Sequence, residues 1–128
     1  MNEPRWLSPS FFLAVHDRLV ADYGGSSGLR DLDRLEAAVS RPRLSFSYGV
    51  TDLHVLAGQY ANAIVMGHPF IDGNKRVGFV AAVAFLEING QSFHANEADA
   101  ALQTLALAAG ELSESAFVEW LRSACCPR

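Results

Sequence analysis

Hydrophobic positions recur along this chain at intervals of three and four, and polar or glycine-rich breaks separate the runs. Ser8-Pro9 supplies an N-cap and first helical residue, Phe11, Phe12, Val15 and Leu19 form an apolar stripe, and Gly24-Gly25 closes the element. Asp31 opens a second helix carrying Leu32, Leu35, Ala38 and Val39, which is expected to end before Pro42 because a proline disfavours helix in the residue ahead of it. Arg41 to Val50 (RPRLSFSYGV) is the least regular stretch and reads as a loop or short extended flap, either lying over a site or simply connecting. Thr51 or Asp52 caps a third helix with Leu53, Leu56, Ala57, Tyr60, Ala61, Ile64 and Val65 in register, closed by Gly67.

The next apolar run, Val77 to Leu86 (VGFVAAVAFL), is hydrophobic on every side and predicts a helix buried at the centre of the domain. It is expected to start between Asp72 and Asn74, where Asp is a good N-cap, and to stop at Asn89-Gly90. Gln91 to His94 reads as a short extended turn. Asn96 caps a fifth helix with Leu102, Leu105, Ala106 and Ala109 placed inward, and Ser113 caps a last one bearing Phe117, Trp120 and Leu121. No alternating pattern is long enough for a sheet. The expectation is an all-α fold, a compact bundle of about six helices around a central buried helix, with at most one small β element, in a single domain spanning residues 1–128.

Composition narrows the function classes. Half of the 128 residues are hydrophobic, enough for a core, and the formal net charge of −4 argues against a general nucleic-acid binder. MNEPRWLSP lacks a basic region followed by an apolar run, and the ten residues of Val77 to Leu86 are too few to span a bilayer, so a cytoplasmic protein with no membrane or direct nucleic-acid partner is expected. Cys125 and Cys126 are adjacent, which suits neither a disulfide framework nor metal-ligand spacing, and are expected to be reduced. His16, His54 and His94 share no metal spacing and are taken as structural or surface residues.

The candidate chemistry lies in His68-Pro69-Phe70-Ile71-Asp72-Gly73-Asn74-Lys75-Arg76. A helix N-terminus carries unpaired N–H groups and partial positive charge, so cations there are disfavoured by about 0.3–1 kcal/mol each. Four of the other helices begin with acids (Asp31 and Asp33, Asp52, Glu97 and Asp99, Glu114), whereas this one places Lys75 and Arg76 in its first turn. Such an end is suited to an anion, above all a phosphate. Taken singly, each residue has a plain reading as well. His68 is either a general base or a histidine bonding the backbone at a helix end, and Asp72 is either a Mg²⁺ ligand or an N-cap. Gly73 either lets a backbone approach a phosphate or makes an ordinary turn, Asn74 either orients a phosphate or the loop or follows turn propensity, and Lys75 and Arg76 either clamp phosphate oxygens or form a solvated pair. Together they assemble a base, a metal carboxylate and an anion-binding helix start, the parts of phosphoryl or nucleotidyl transfer, without a Walker loop.

HPFIDGNKR resembles the H-x-F-x-[D/E]-G-N-x-R signature of the Fic/Doc (Fido) superfamily, and Lys75 in the variable slot resembles its death-on-curing branch. HDRLVADYGGSSGLRDLDRLEAAVSRP, FLEINGQSF and AAGELSESAFVEWL are similar to that branch as well, so the resemblance runs from about Leu7 to Leu121. It implies that His68 is the general base toward a target hydroxyl, that Phe70 anchors the loop and that Asp72 holds Mg²⁺. It further implies that Gly73, Asn74 and the helix N–H groups cradle the phosphates of ATP, clamped by Lys75 and Arg76. Death-on-curing proteins move the terminal phosphate of ATP to a threonine of translation elongation factor Tu and are neutralised by an antitoxin protein. The resemblance therefore implies a toxin with a translation factor as target and an antitoxin as partner. AMP transfer of the Fic type and a catalytically silent Fido binding module stand as alternatives. Val77-Gly78 replaces the Thr-Ala that often follows the Arg, a change of helix packing more than of phosphate contact. A self-inhibitory [S/T]-x-x-x-E-[G/N] helix is missing, since Trp120 follows Ser115 to Glu119, so restraint is expected from another chain.

Overall fold

The computed structural model describes residues 2–128, in which six helices and a two-stranded ribbon follow one another. The helices are α1 (Pro9–Tyr23), α2 (Leu32–Ser47), α3 (Leu53–Gly67), α4 (Asn74–Ile88), α5 (Glu97–Ala108) and α6 (Glu114–Ser123). Strand β1 (Gln91–Phe93) pairs antiparallel with β2 (Cys125–Pro127), Ser92 opposite Cys126. The expected caps are in place. Ser8, Asp31, Asp52, Asn96 and Ser113 each accept a main-chain N–H in the first turn of their helix, and Gly24 ends α1 in a positive-φ conformation.

The centre of the molecule is shared by α3 and α4 rather than held by α4 alone. Helix α3 touches α2, α4, α5 and α6, and its whole middle, Leu56 to Ala61, is buried. Helix α4 buries Val77, Gly78, Ala81, Ala82, Phe85 and Leu86 but leaves Phe79 and Val80 half-exposed on a side that faces a cleft. Gly78 permits the close approach of the two helices, because a Cβ there would come within 2.7 Å of Val65 Cγ2 and 3.0 Å of the Ala61 carbonyl oxygen. Tyr60, fully buried, accepts the Leu7 N–H at 3.1 Å and draws the amino-terminal segment onto the core, where Trp6 stacks on Phe85.

Two expectations are corrected. Helix α2 does not stop before Pro42 but runs through it to Ser47, so Arg41 to Val50 is mostly helix and not a flap. A proline inside a helix costs about 3 kcal/mol, and packing on both sides of it offsets that cost. Pro42 is buried, Phe46 meets Trp6 edge-on at 5.6 Å, and Arg41 makes a two-pronged ion pair with Glu114 at 2.7 and 2.9 Å. The stretch therefore lies against the core and α6 and does not line the cleft. In α5 the buried residues are Ala100, Thr104 and Leu107, while Leu102 and Leu105 are 66% and 54% exposed. The small inner stripe lets α5 sit close to its neighbours, and Thr104 satisfies its hydroxyl within the helix by donating to the Ala100 carbonyl at 2.8 Å. The small β element allowed for is the β1–β2 ribbon, whose second strand lies at Cys125–Pro127; both of its cysteines are free thiols, and burial pushes the Cys125 thiol up.

Candidate active site

The six residues between α3 and α4 are held from outside by the loop that follows α1. Leu29 and Phe70 form an isolated antiparallel bridge, and the Ile71 N–H donates to Gly28 O at 3.2 Å. Pro69 O accepts from the N–H groups of Arg30 and Asp31 at 2.7 and 2.9 Å. From within, Phe70 is the anchor that the family resemblance implies, 1% exposed and stacked on the buried His16 ring with centroids 4.1 Å apart. His16 Nε2 lies 2.9 Å from the Asp72 carbonyl oxygen, so the ring donates to the backbone of the loop. His16 was read only as structural or surface. It lies on the apolar face of α1 one turn after Phe12, and it is a support of this loop.

At the start of α4 no side chain caps the helix; the N-cap is Gly73, in the left-handed region at φ +80°. The first main-chain bond of α4 runs from the Val77 N–H to Gly73 O, so the N–H groups of Asn74, Lys75 and Arg76 precede the helical ladder. Asp72 does not act as the N-cap. Its Oδ1 accepts the Gly73 N–H at 2.8 Å, and Oδ2 lies 3.4 Å from the Ser26 N–H. Gly25 is required for that approach, because a Cβ there would come within 2.7 Å of Asp72 Oδ2.

Of the parts open to its side chain, Asn74 takes that of orienting the loop. It is 7% exposed, and its side chain forms a closed pair with Phe70, Oδ1 accepting the Phe70 N–H and Nδ2 donating to the Phe70 carbonyl, both at 3.0 Å. Its amide therefore shapes the loop, and what it offers an anion is its main-chain N–H. Lys75 and Arg76 are exposed, and neither makes an ion pair among the described residues. Arg76 rests its guanidinium 4.4 Å above the Tyr23 ring. His68 sits at the C-terminal end of α3 with φ +50° and ψ +55°. Left-handed backbone in a non-glycine residue costs roughly 1–3 kcal/mol and calls for support. Two arginines provide it. Arg30 Nε and Nη2 donate to the His68 carbonyl at 2.9 and 2.7 Å, and Arg34 Nη1 donates to Gly67 O at 2.8 Å.

His68, Asp72, Gly73, Asn74, Lys75 and Arg76 thus all line one cleft of about 770 Å³, completed by Tyr23, by Phe79 and Val80 of α4, and by one side of α5 that includes Leu105. That is room for a nucleotide, since pockets for small ligands run to about 300–1,000 Å³. Every residue singled out in the motif is at the cleft except Pro69 and Phe70, which lie beneath it. Arg30, Arg34 and the Gly25–Gly28 loop were missed. The signal was present: Arg30 and Arg34 flank the N-cap of α2, where cations are unfavourable, and α3 has no basic residue in its own last turn.

Among the described residues no group of three or more His, Cys, Asp or Glu could hold a metal by itself, and no helix is long and apolar enough to cross a membrane. Asp72 fits a Mg²⁺ ion of the kind bound by one carboxylate together with phosphate oxygens and water, because its exposed carboxylate retains lone pairs beyond the two N–H contacts.

The model of the Fic/DOC family matches residues 6–86. The chain is 38% identical over 120 residues to the protein named "Protein kinase doc" of Escherichia phage P1, covering 92% of this chain and 94% of that protein. It is 39% identical over 71 residues to "Toxin Doc" of Mycolicibacterium smegmatis, covering 53% of this chain and 54% of that one. The chain is a member of the Fic/DOC family.

Proposed function

We propose that this chain is a Doc-type toxin that transfers the terminal phosphate of ATP to a threonine or serine hydroxyl of a translation factor such as elongation factor Tu. A partner antitoxin would hold it in check. The observation that carries the reading is the uncapped start of α4, where three main-chain N–H groups and two cations, unpaired with any acid among the described residues, meet a cleft that His68 also lines. The names of the two relatives support a toxin that acts as a protein kinase.

The chemistry is written on this chain's own groups. The target hydroxyl oxygen attacks the terminal phosphorus, the bond from that phosphorus to the bridging oxygen breaks, and ADP leaves with the electron pair. A ring nitrogen of His68 takes the hydroxyl proton, a role in which a positioned base contributes about 10²–10⁴-fold. The N–H groups of Asn74, Lys75 and Arg76 and the two side-chain cations stabilise the charge on the phosphate oxygens. Asp72 would hold Mg²⁺, which when bound neutralises phosphate charge. Lys75 lines the cleft where a glycine would leave more depth, and a shallower, more positive site favours presentation of the terminal phosphate over the inner one.

Intact-mass measurement of elongation factor Tu after incubation with this protein and Mg-ATP tests the proposal. The expected gain is one phosphoryl group, with label arriving from the terminal position of ATP. A gain of one AMP unit, with label from the inner phosphate, would replace kinase by adenylyltransferase activity. No modification, together with no Mg-dependent ATP affinity, would leave a silent binding module.

A further inference from the structure

Among the described residues His68 is the only non-glycine residue with positive φ, and it precedes a proline, which crowds its backbone further. We infer that Arg30, assisted by Arg34, is a positioning residue that aims the His68 imidazole at the cleft. The inference rests on the base role proposed above for His68.

The direction of a Cα–Cβ bond follows from the two peptide planes that flank it, and both planes at His68 are held. On one side the His68 N–H donates to Ile64 O at 3.1 Å. On the other, the His68 carbonyl receives both prongs of the Arg30 fork, and the next carbonyl, Pro69 O, receives the Arg30 N–H. One residue upstream, Arg34 fixes Gly67 O. Arg30 makes no ion pair among the described residues, so no carboxylate competes for its guanidinium, whereas Arg34 divides its charge with Asp31 at 3.3 Å. Neither arginine lines the cleft. Arg30 therefore acts on the reaction through the backbone of the base and leaves ligand binding to the start of α4.

Two variants test this, Arg30→Ala and Arg30→Lys, each assayed for phosphate transfer, ATP affinity, thermal melting and the NMR carbon shifts of His68, which report its backbone conformation. Misplacement of a reacting group by about 1 Å costs on the order of 10²-fold. Arg30→Ala is expected to lower kcat by about that factor with ATP affinity unchanged, and to move the His68 shifts away from the left-handed signature. Arg30→Lys, with a point charge in place of a planar fork, is expected to fall between the two, and it carries the comparison if the alanine variant does not fold. Wild-type kcat in Arg30→Ala, or a loss of kcat matched by a loss of ATP affinity, would overturn the inference. If the unaltered protein transfers no phosphate, the proposed function fails and the carbon shifts alone decide. A shift away from left-handed backbone then supports the clamp, and unchanged shifts overturn it.

Discussion

The two central helices begin in opposite ways. Asp52 caps α3 fully: Oδ1 accepts the His54 and Val55 N–H groups at 2.9 and 3.3 Å, and Oδ2 accepts Arg122 Nη2 at 2.9 Å. Helix α4 has no side-chain cap, and its first turn adds two exposed cations. A glycine N-cap is worse than Ser, Asp or Asn by only about a few tenths of a kcal/mol. Gly73 at the start of α4 therefore forgoes a small stabilisation that other helices in this chain take, and leaves its first N–H groups without a side-chain acceptor. The fifteen residues of α3, about 22 Å of helix, and the six-residue loop after it lie along the chain between the capped start and the bare one. What the difference teaches is a division of labour: donors answered by the chain itself stabilise the fold, and donors left unanswered are available to a ligand.

The strongest way to break that division is at His68. Its ring makes no hydrogen bond to the rest of the protein among the described residues, so His68→Ala is expected to cut transfer by about 10²–10⁴-fold while thermal melting stays near wild type. Full activity in that variant would remove the base role. Next in size is Arg76→Ala. Hydrogen bonds to charged groups contribute about 1.5–3 kcal/mol, so loss of Arg76 is expected to weaken ATP binding by roughly ten- to a hundredfold. Without nucleotide the same change is nearly neutral. An unfavourable cation of about 0.3–1 kcal/mol at the helix start offsets an exposed cation–π contact with Tyr23 of about 0.5–1 kcal/mol. Calorimetric titration and melting curves on the one variant separate the two effects. Melting well below wild type in the absence of nucleotide would show that Arg76 belongs to the fold and not to the site.

How much of this was legible depends on the range of the interaction that decides each feature. Caps are local, and Ser8, Asp31, Asp52, Asn96 and Ser113 could be read because each side chain answers a donor two or three residues away. The two cations in the first turn of α4 were legible for the same reason, as a violation of a local rule. The missing side-chain cap was not, because Asp72 turns its carboxylate to Gly73 and Ser26 instead. Pro42 misled because the helix through it is held by Trp6 and Glu114, which no local pattern announces. The face of α5 misled because its buried stripe is small and part polar, with the larger leucines turned outward. At the site, sequence proximity delivered residues 68–76 together, while their supports at His16, Gly25 and Arg30 lie about 38 to 56 positions away and are joined by folding. Asn74 fell between these cases. Its place in the motif was plain, but the partner of its amide is a backbone four residues back that only the loop geometry brings round.

The smallest expected effect sharpens the capped side of the comparison. Burial raises the Asp52 carboxyl, but the Arg122 hydrogen bond, the His54 and Val55 N–H groups and the Arg122 charge outweigh it and hold its pKa below the ordinary value of 3.8. A carboxylate with a depressed folded-state pKa stabilises the fold above the unfolded value, and that stabilisation drains away as pH falls through the folded one. Asp52→Asn keeps the capping oxygen and removes the charge. Because the side chain is 39% exposed, solvent screening limits the ion-pair part to well under about 1 kcal/mol. The variant should therefore be slightly less stable than wild type well above the ordinary value of 3.8, and the gap should close as pH falls through and below it. Urea denaturation at several pH values measures this gap, and a gap that stayed constant into acid would mean that the Asp52 charge contributes nothing. ATP affinity should not follow the Asp52 change at any pH, because the α3 cap and the α4 start share no residue.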